Sequence, residues 1–366
     1  MLNAQHHAPV RLDLRAGAHH SAIVIGDNVS ERLPALLDDA RVGPRRFIVS
    51  SPIIWKLHGA ALQHVSSAEP MLIPDGERYK TLQTTSRIYD ALIRNEADRG
   101  SAIVAVGGGV VGDVAGFAAA TYLRGITLVH VPTTLLAQVD SSLGGKVGVN
   151  HQLGKNLFGA YHHAAVVAID PAFLATLPRR EFRSGLYEVI KYGMIASRDL
   201  FDRVARDSRA IFARDPDVLL PAIAESCHIK TAVVSEDERE SGRRRVLNFG
   251  HTIGHALEAV TRYRRFRHGE AIAYGMLAAA DLAVARGALA ARERQALADL
   301  ITLLGPLPPV SDLSIAQVLE AVRHDKKVVN GRLHFVICIE VGATTVVDDV
   351  TEDELAKVLR GMGLKS

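Results

Sequence analysis

The chain changes texture halfway along. In its first half, short runs dense in β-branched residues recur: SAIVIG at 21–26, RFIVSS at 46–51, SAIVAV at 101–106, ITLVHV at 126–131 and AAVVAI at 164–169. Unbroken apolar runs of this length are how strands covered on both faces read. Between two of them, YKTLQTTSRIYDALIRNEA repeats its apolar residues at helical spacing. Strands alternating with helices predict a parallel α/β sheet. From about Glu181 the pattern turns to long alanine- and leucine-rich segments such as EAIAYGMLAAADLAVARGALAA, with a late strand-like run, RLHFVICIEV, at 332–341. The pattern therefore predicts an α/β domain over 1–179 and a mainly helical one over 180–366, the break marked by Pro178 and the charges of LPRREF.

Composition narrows the picture. At 366 residues the chain exceeds what one hydrophobic core usually supports. With 48% apolar and 23% charged residues it is neither disordered nor fibrous. A formal charge of +3 is too mild for a nucleic-acid binder and suits a small anionic substrate. The basic runs at 243–245 and 262–268 lack regularly spaced aromatics and read as part solvated face, part substrate funnel. Cys227 and Cys338 stand far apart, outside any CxxC pattern, and read as reduced core thiols. No basic-then-apolar start is visible, and the longest apolar run, AIVAVGGGVVG, is too short to span a bilayer, so a cytoplasmic protein is expected.

Three stretches carry candidate chemistry in the first half. AIVAVGGGVVGDVAG sets glycines at 107, 109 and 112, a GxGxxG pattern directly after a strand and at the opening of a helix. Glycine there lets backbone N–H groups meet a pyrophosphate, and the helix start favours its charge. The acid that the ordinary dinucleotide fingerprint needs about 20 residues on is missing, and the competing explanation is a tight turn requiring positive φ. Upstream, IPDGERYKT offers Glu77 and Lys80 at a helix start, as cofactor contacts or as a plain surface turn. Downstream, VPTTLLAQVDSSLGGKVGVNHQLGKN concentrates polar residues where open α/β sheets bind ligands. Lys146 and Lys155 could neutralise phosphate or carboxylate there, and the glycines beside Lys146 let backbone and ammonium converge on one anion.

In the second half, NFGHTIGH places His251 and His255 four apart, on one face of a helix. Thr252 stands where a zinc protease needs glutamate, so peptide hydrolysis is not expected. In SGLYEVIKYG, Glu188 and Lys191 share a helix face, ordinarily a local ion pair, and His268 follows further on in RFRHGEA. A carboxylate and two imidazoles with one open position make a catalytic zinc set. Spacing leaves open which two of His251, His255 and His268 would bind, and favours the first two.

The ordered motifs PDGERYK, GGGVVGDVAGF, PTTLLAQVDSSLGGK, LGKN, EVIKYG, NFGHTIGH, HGEA and HDKK resemble those of the 3-dehydroquinate synthase family of sugar-phosphate cyclases, over nearly the whole chain. The resemblance implies an α/β Rossmann-like N-terminal domain and a mostly α-helical C-terminal domain, a dehydroquinate synthase-like fold shared with glycerol dehydrogenase. It implies a divalent metal, zinc or cobalt, on Glu188, His251 and His268, with His255 facing the substrate. It implies NAD over Glu77, Lys80, Gly108, Gly109, Val110, Asp113, Thr133, Thr134, Asp140, Lys146, Lys155, Phe173 and Thr176. Substrate contacts are implied for Asp140, Lys146, Asn156, Lys191, Lys230, Arg244, Asn248, His255, Lys326 and Lys327, and Arg124 is implied to reach the neighbouring subunit of a homodimer. The implied substrate is 3-deoxy-D-arabino-heptulosonate 7-phosphate, and His255 is the expected proton shuttle, because an unperturbed imidazole titrates near working pH.

Two positions depart from the family pattern. VSSP offers only Ser51 where an acid or amide often holds the adenosine ribose, and KVGVN replaces KTGVN while leaving Lys146 intact. A sister cyclase making an inosose or valiolone is the nearest alternative, followed by an NAD-linked alcohol dehydrogenase. Asn248, SSLGGK and HDKK speak for the synthase, because sister enzymes tend to differ there, and a dehydrogenase has no need of so many anion-binding lysines.

Overall fold

The computed structural model describes residues 8–323, 328–329 and 332–366, which divide into two compact units. One runs to Pro178 and takes in Leu219–Glu238; the other comprises Arg179–Val218 and the chain from Arg239 on. The sequence signals a single break near 179, whereas the crossing after Val218 falls inside a helix and carries no change of composition.

The strands of the first unit are β1 (Val10–Ala16), β2 (His19–Ile25), β3 (Arg46–Ser50), β4 (Met71–Leu72), β5 (Ala102–Gly107), β6 (Thr127–Pro132), β7 (Lys146–His151), β8 (Gly154–Tyr161) and β9 (Val166–Ile169). Seven of them form one sheet in the order β1-β2-β9-β6-β5-β3-β4. Its pairings are parallel except at the β1 edge. Every residue of β3, β5 and β9 is buried, which is why these strands read as unbroken apolar runs. In β1, VRLDLRA instead alternates half-buried or buried with exposed residues, as a strand with one wet face must. Between the strands lie α1 (Leu33–Asp39), α2 (Pro52–Leu62), α3 (Leu82–Arg94) and α4 (Gly109–Thr121). Ser51 and Thr81 cap α2 and α3 with their hydroxyls. Leu33, Leu37 and Leu62 pack with Ile48, Val104, Val129 and Val166 in one apolar core.

The connectivity creates a crevice. The chain passes from β3 outward to β4, then returns across β3 to β5, so its direction reverses between β3 and β5. At such a switch point the connections diverge and leave room at the carboxyl ends of the strands. Ser51 and Gly107–Gly109 sit at those ends. The polar stretch that follows β6 contains the antiparallel pair β7–β8, where only Val147 and Val149 alternate as buried apolar residues among lysines, asparagines and glycines.

The second unit is built from α5 (Arg179–Ala196), α6 (Arg198–Arg206), α7 (Ser208–Ala213), the start of α8 (Pro216–Glu236), α9 (His251–Val260), α10 (His268–Ala285), α11 (Ala291–Leu304), α12 (Ile315–Arg323) and α13 (Glu352–Gly361). Two short ladders complete it: β10 (Val328–Val329) with β11 (Arg332–Leu333), and β12 (Phe335–Glu340) with β13 (Ala343–Val347). By length and composition α8 alone among the described helices could cross a membrane, yet 61% of that stretch is buried within the protein. Two glycines let the central helices touch. A Cβ on Gly275 would fall 1.7 Å from the carbonyl oxygen of Gly250, and one on Gly269 would fall 1.9 Å from that of Ser184. These contacts bring α10 against the start of α9 and against α5. The fully buried Glu270 locks the latter, accepting from Arg180 at 2.8 and 2.7 Å and from Arg183 at 2.9 Å. Burial would raise its carboxyl, but these arginines hold it below the usual value.

Candidate active site

At the switch point of the first unit, the glycine loop leads into α4. None of Gly107, Gly108, Gly109 and Gly112 has positive φ, so a strained turn does not explain them. Space does: a Cβ on Gly107 would lie 2.7 Å from the Val111 side chain, and one on Gly108 3.0 Å from Cγ2 of Thr134. No side chain caps α4, and no acid occupies its first turn, so its leading N–H groups suit an anion. Beside them, Thr133 Oγ1 is buried without a hydrogen bond among the described residues. Such an orphaned hydroxyl fits a ligand that supplies the partner.

A charged network borders this loop. The ammonium of Lys80, buried to 5% exposure, bonds both Asp113 Oδ2 and Asn156 Oδ1. Burial raises the Asp113 carboxyl, with the Lys80 charge acting against it. Glu77 Oε1 accepts from Asn150 Nδ2 at 2.8 Å and lies 3.6 Å from Lys155 Nζ. Asn150 Oδ1 in turn receives the Asn156 N–H at 3.0 Å. Asn150 is a member of this network that spacing did not reveal, although it lies within KVGVN. Thr176 Oγ1 lies 2.9 Å from His58 Nε2, and the His58 ring meets Phe173 edge-on at 4.9 Å. Ser51 is fully buried and its hydroxyl already caps α2, so it is not an open ribose contact.

Asp140 lies on a π-helical turn, Ala137–Ser141, a local widening common at functional sites. That turn offers both its carboxylate and its carbonyl to Lys230 Nζ, each at 2.6 Å. Lys146 opens β7 directly after Gly144 and Gly145, whose φ values of 93° and 71° turn the chain as only glycine does readily. Arg124 ends an exposed turn with φ 67°, following Leu123 at φ 49°.

In the second unit Glu188 and Lys191, both buried, stand one turn apart on α5, with Lys191 Nζ 2.5 Å from Glu188 Oε2. The other carboxylate oxygen, Oε1, faces His251 Nε2 at 3.7 Å and His268 Nε2 at 3.5 Å. Behind the His251 ring, Nδ1 lies 3.1 Å from the Phe249 carbonyl oxygen. The donor atoms of Glu188, His251 and His268 all lie within 4.8 Å of one another. Ligands about 2.0–2.1 Å from a tetrahedral zinc stand roughly 3.3–3.4 Å apart, so the set fits such an ion. Burial would lower the His268 imidazole, but Glu258 and Glu188 outweigh it and raise it to about 10. The ring thus responds to the concentrated negative charge that a cation would neutralise.

His255, one turn along α9, is not part of this triad. Its ring centroid lies 5.2 Å from that of His251 and 5.9 Å from that of His268. The pair favoured by helical spacing thus splits, because α10 supplies the second imidazole beside Glu188. Arg244, buried, and Asn248 lie on a short 3-10 helix, and Asn248 Nδ2 donates to Glu240, a carboxylate spacing did not reveal. Lys326 and Lys327 lie outside the described residues.

Comparison with known proteins covers both units. The family description for the 3-dehydroquinate synthase N-terminal region matches residues 70–184, and that for the C-terminal region matches 185–328. The 3-dehydroquinate synthase of Thermosynechococcus vestitus is 45% identical over 94% of this chain and 96% of its own length. A 2-epi-5-epi-valiolone synthase from Streptomyces hygroscopicus subsp. jinggangensis, solved with NAD+ and Zn2+ bound, matches with a TM-score of 0.86 at 28% identity, covering 93% of this chain and 96% of that one. A 2-deoxy-scyllo-inosose synthase complexed with carbaglucose-6-phosphate, NAD+ and Co2+ matches with a TM-score of 0.85 at 28% identity, covering 96% and 100%. The fold is therefore that of the sugar-phosphate cyclases, and the identity over nearly full length is much higher to the first relative than to either sister enzyme. The chain belongs to the 3-dehydroquinate synthase family.

Proposed function

We propose that this protein is a 3-dehydroquinate synthase, converting 3-deoxy-D-arabino-heptulosonate 7-phosphate to 3-dehydroquinate and phosphate. The observation that carries the reading is the Glu188–His251–His268 donor set, two of its members buried and His268 half-buried, in a chain 45% identical to a named synthase over nearly all its length. When bound, NAD would take up and return a hydride, while a zinc or cobalt ion on this set would polarise a substrate oxygen.

The chain's own residues do the rest. The leading N–H groups of α4, at Gly108, Gly109 and Val110, receive the cofactor pyrophosphate, with Thr133 and Thr134 beside them. Lys80 and Asp113 fix the loop below, Glu77 and Lys155 bound it, and Phe173 and Thr176 take the adenosine end. Losing phosphate develops charge on the leaving oxygens, so cations positioned in advance lower the barrier. Lys146, Lys191, Lys230 and Arg244 serve there, with Lys326 and Lys327. Asp140, Asn156 and Asn248 orient the substrate hydroxyls. The departing phosphate's own oxygen takes the proton from carbon, and His255 moves protons in the other steps.

The assembly proposed is a homodimer in which Arg124 acts on the partner's substrate. Its support is a group of exposed apolar side chains: Leu153, Leu157, Phe158 and Tyr161 are exposed on and beside β7 and β8, and Leu123 is exposed next to Arg124. Two free, buried cysteines are in keeping with the cytoplasm as its compartment.

The test is a substrate panel with NAD and zinc or cobalt added. Phosphate release from 3-deoxy-D-arabino-heptulosonate 7-phosphate, with dehydroquinate as the product, is expected. Release from glucose 6-phosphate or sedoheptulose 7-phosphate instead would assign a sister cyclase and overturn the substrate.

A further inference from the structure

His268 has a buried carboxylate on each side of its ring. Nε2 faces Glu188 Oε1 at 3.5 Å, while Nδ1 lies 3.4 Å from Oε2 of Glu258, whose side chain is 8% exposed. Glu258 belongs to α9, where helical spacing sets it on the face that carries His251 and His255. Two donor groups therefore share His268: one with Glu188 and His251, the other with His255 and Glu258.

A neutral imidazole has one lone pair and one N–H, so a single ring serves one of these groups as ligand and the other as donor. The first group has the better outer support. Lys191 holds the second oxygen of Glu188, and the Phe249 carbonyl takes the Nδ1–H of His251, leaving its Nε2 toward Glu188. His268 completes the pattern if its own Nδ1–H is held from behind. Glu258 is the group in position to do so. Unlike the carbonyl behind His251, it is charged, and a carboxylate behind an imidazole raises the ring's strength as a ligand.

We propose that Glu258 is the positioning residue of the metal centre: it accepts the Nδ1–H of His268 and so fixes the tautomer that turns Nε2 toward Glu188 and His251. The inference rests on those three residues being the ligands. Glu258→Gln keeps the shape and an accepting oxygen but removes the charge. In metal-stripped protein, titrated with Co2+ by visible absorption and with Zn2+ against a chromophoric chelator, this variant should still bind one ion. Its affinity should fall about 10–100-fold, and its Co2+ band should shift. Glu258→Asp, which keeps the charge at a longer reach, should fall between it and wild type, and carries the same test should the glutamine variant not fold.

Glu188→Gln and His251→Ala belong in the same experiment. If they lose the stoichiometric ion while both Glu258 variants bind with unchanged affinity and spectrum, the positioning role is overturned and the ligand assignment stands. If His251→Ala keeps the ion while the Glu258 variants lose it, Glu258 is itself a ligand, and the assignment beneath this inference falls with it.

Discussion

Gly269 leaves no room for a side chain against Ser184. Its N–H donates to Ser184 Oγ at 2.9 Å, and a Cβ would sit 1.9 Å from the Ser184 carbonyl oxygen. The contact joins the first turn of α10 to α5, and so places His268 beside Glu188. Gly269→Ala must push the two helices apart. We expect a loss of roughly 3 kcal/mol or more in stability, with weaker Zn2+ binding than wild type even where the variant is folded. Urea unfolding and chelator competition measure the two effects, and wild-type metal affinity in folded Gly269→Ala would show that this contact does not set the ligand geometry.

Thr133 should separate stability from binding. Its hydroxyl is buried without a hydrogen bond among the described residues, so Thr133→Val removes an unsatisfied group at nearly constant shape. The melting temperature should hold or rise, while NAD binding weakens by about tenfold, or ~1.4 kcal/mol. Calorimetric titration with NAD checks this. Unchanged NAD affinity would place the hydroxyl outside the cofactor site.

The sheet carries an acid-sensitive group. Burial lowers the His130 imidazole from 6.5 to about 4, with neighbouring His162 acting in the same direction. Because the folded value is the lower one, the unfolded chain takes the proton first as pH falls. The stabilising contribution is therefore whole above 6.5 and is lost as pH falls from 6.5 to about 4. His130→Leu should flatten the stability curve across that window. An unchanged slope in urea unfolding on either side of it would trace the acid sensitivity to other groups.

Arg124 tests the dimer. If it acts in trans, Arg124→Ala and Glu188→Gln protomers, each inactive alone, should regain about a quarter of wild-type activity when refolded together in equal amounts, since half the dimers then hold one complete site. No recovery, despite mixed dimers demonstrated by tagged pull-down, would put Arg124 in its own subunit's site.

What could be read from the chain divides along physical lines. The buried parallel strands announced themselves because both of their faces are apolar. β7 and β8 did not, since Lys146, Asn150, Lys155 and Asn156 give them the look of a loop. The glycine loop was visible, but its reason was not: rather than positive φ, Val111 crowds Gly107 and Thr134 closely approaches Gly108. Helical spacing pointed to His251 with His255. The arrangement beside Glu188 instead depends on α10 packing closely through Gly269 and Gly275, a tertiary fact that no periodicity encodes. Asn150, Glu240 and Glu258 are ordinary polar residues in sequence, and acquire meaning only through the partners that folding brings to them.

The proposed reaction uses its redox cofactor and restores it within each turnover. The most direct measurement follows phosphate release and NADH absorbance together, after mixing the metal-loaded protein and NAD with 3-deoxy-D-arabino-heptulosonate 7-phosphate. Continuous phosphate release, with NADH never rising beyond the concentration of enzyme sites, is the predicted result. NADH accumulating in step with product would contradict it, and would make the protein a dehydrogenase.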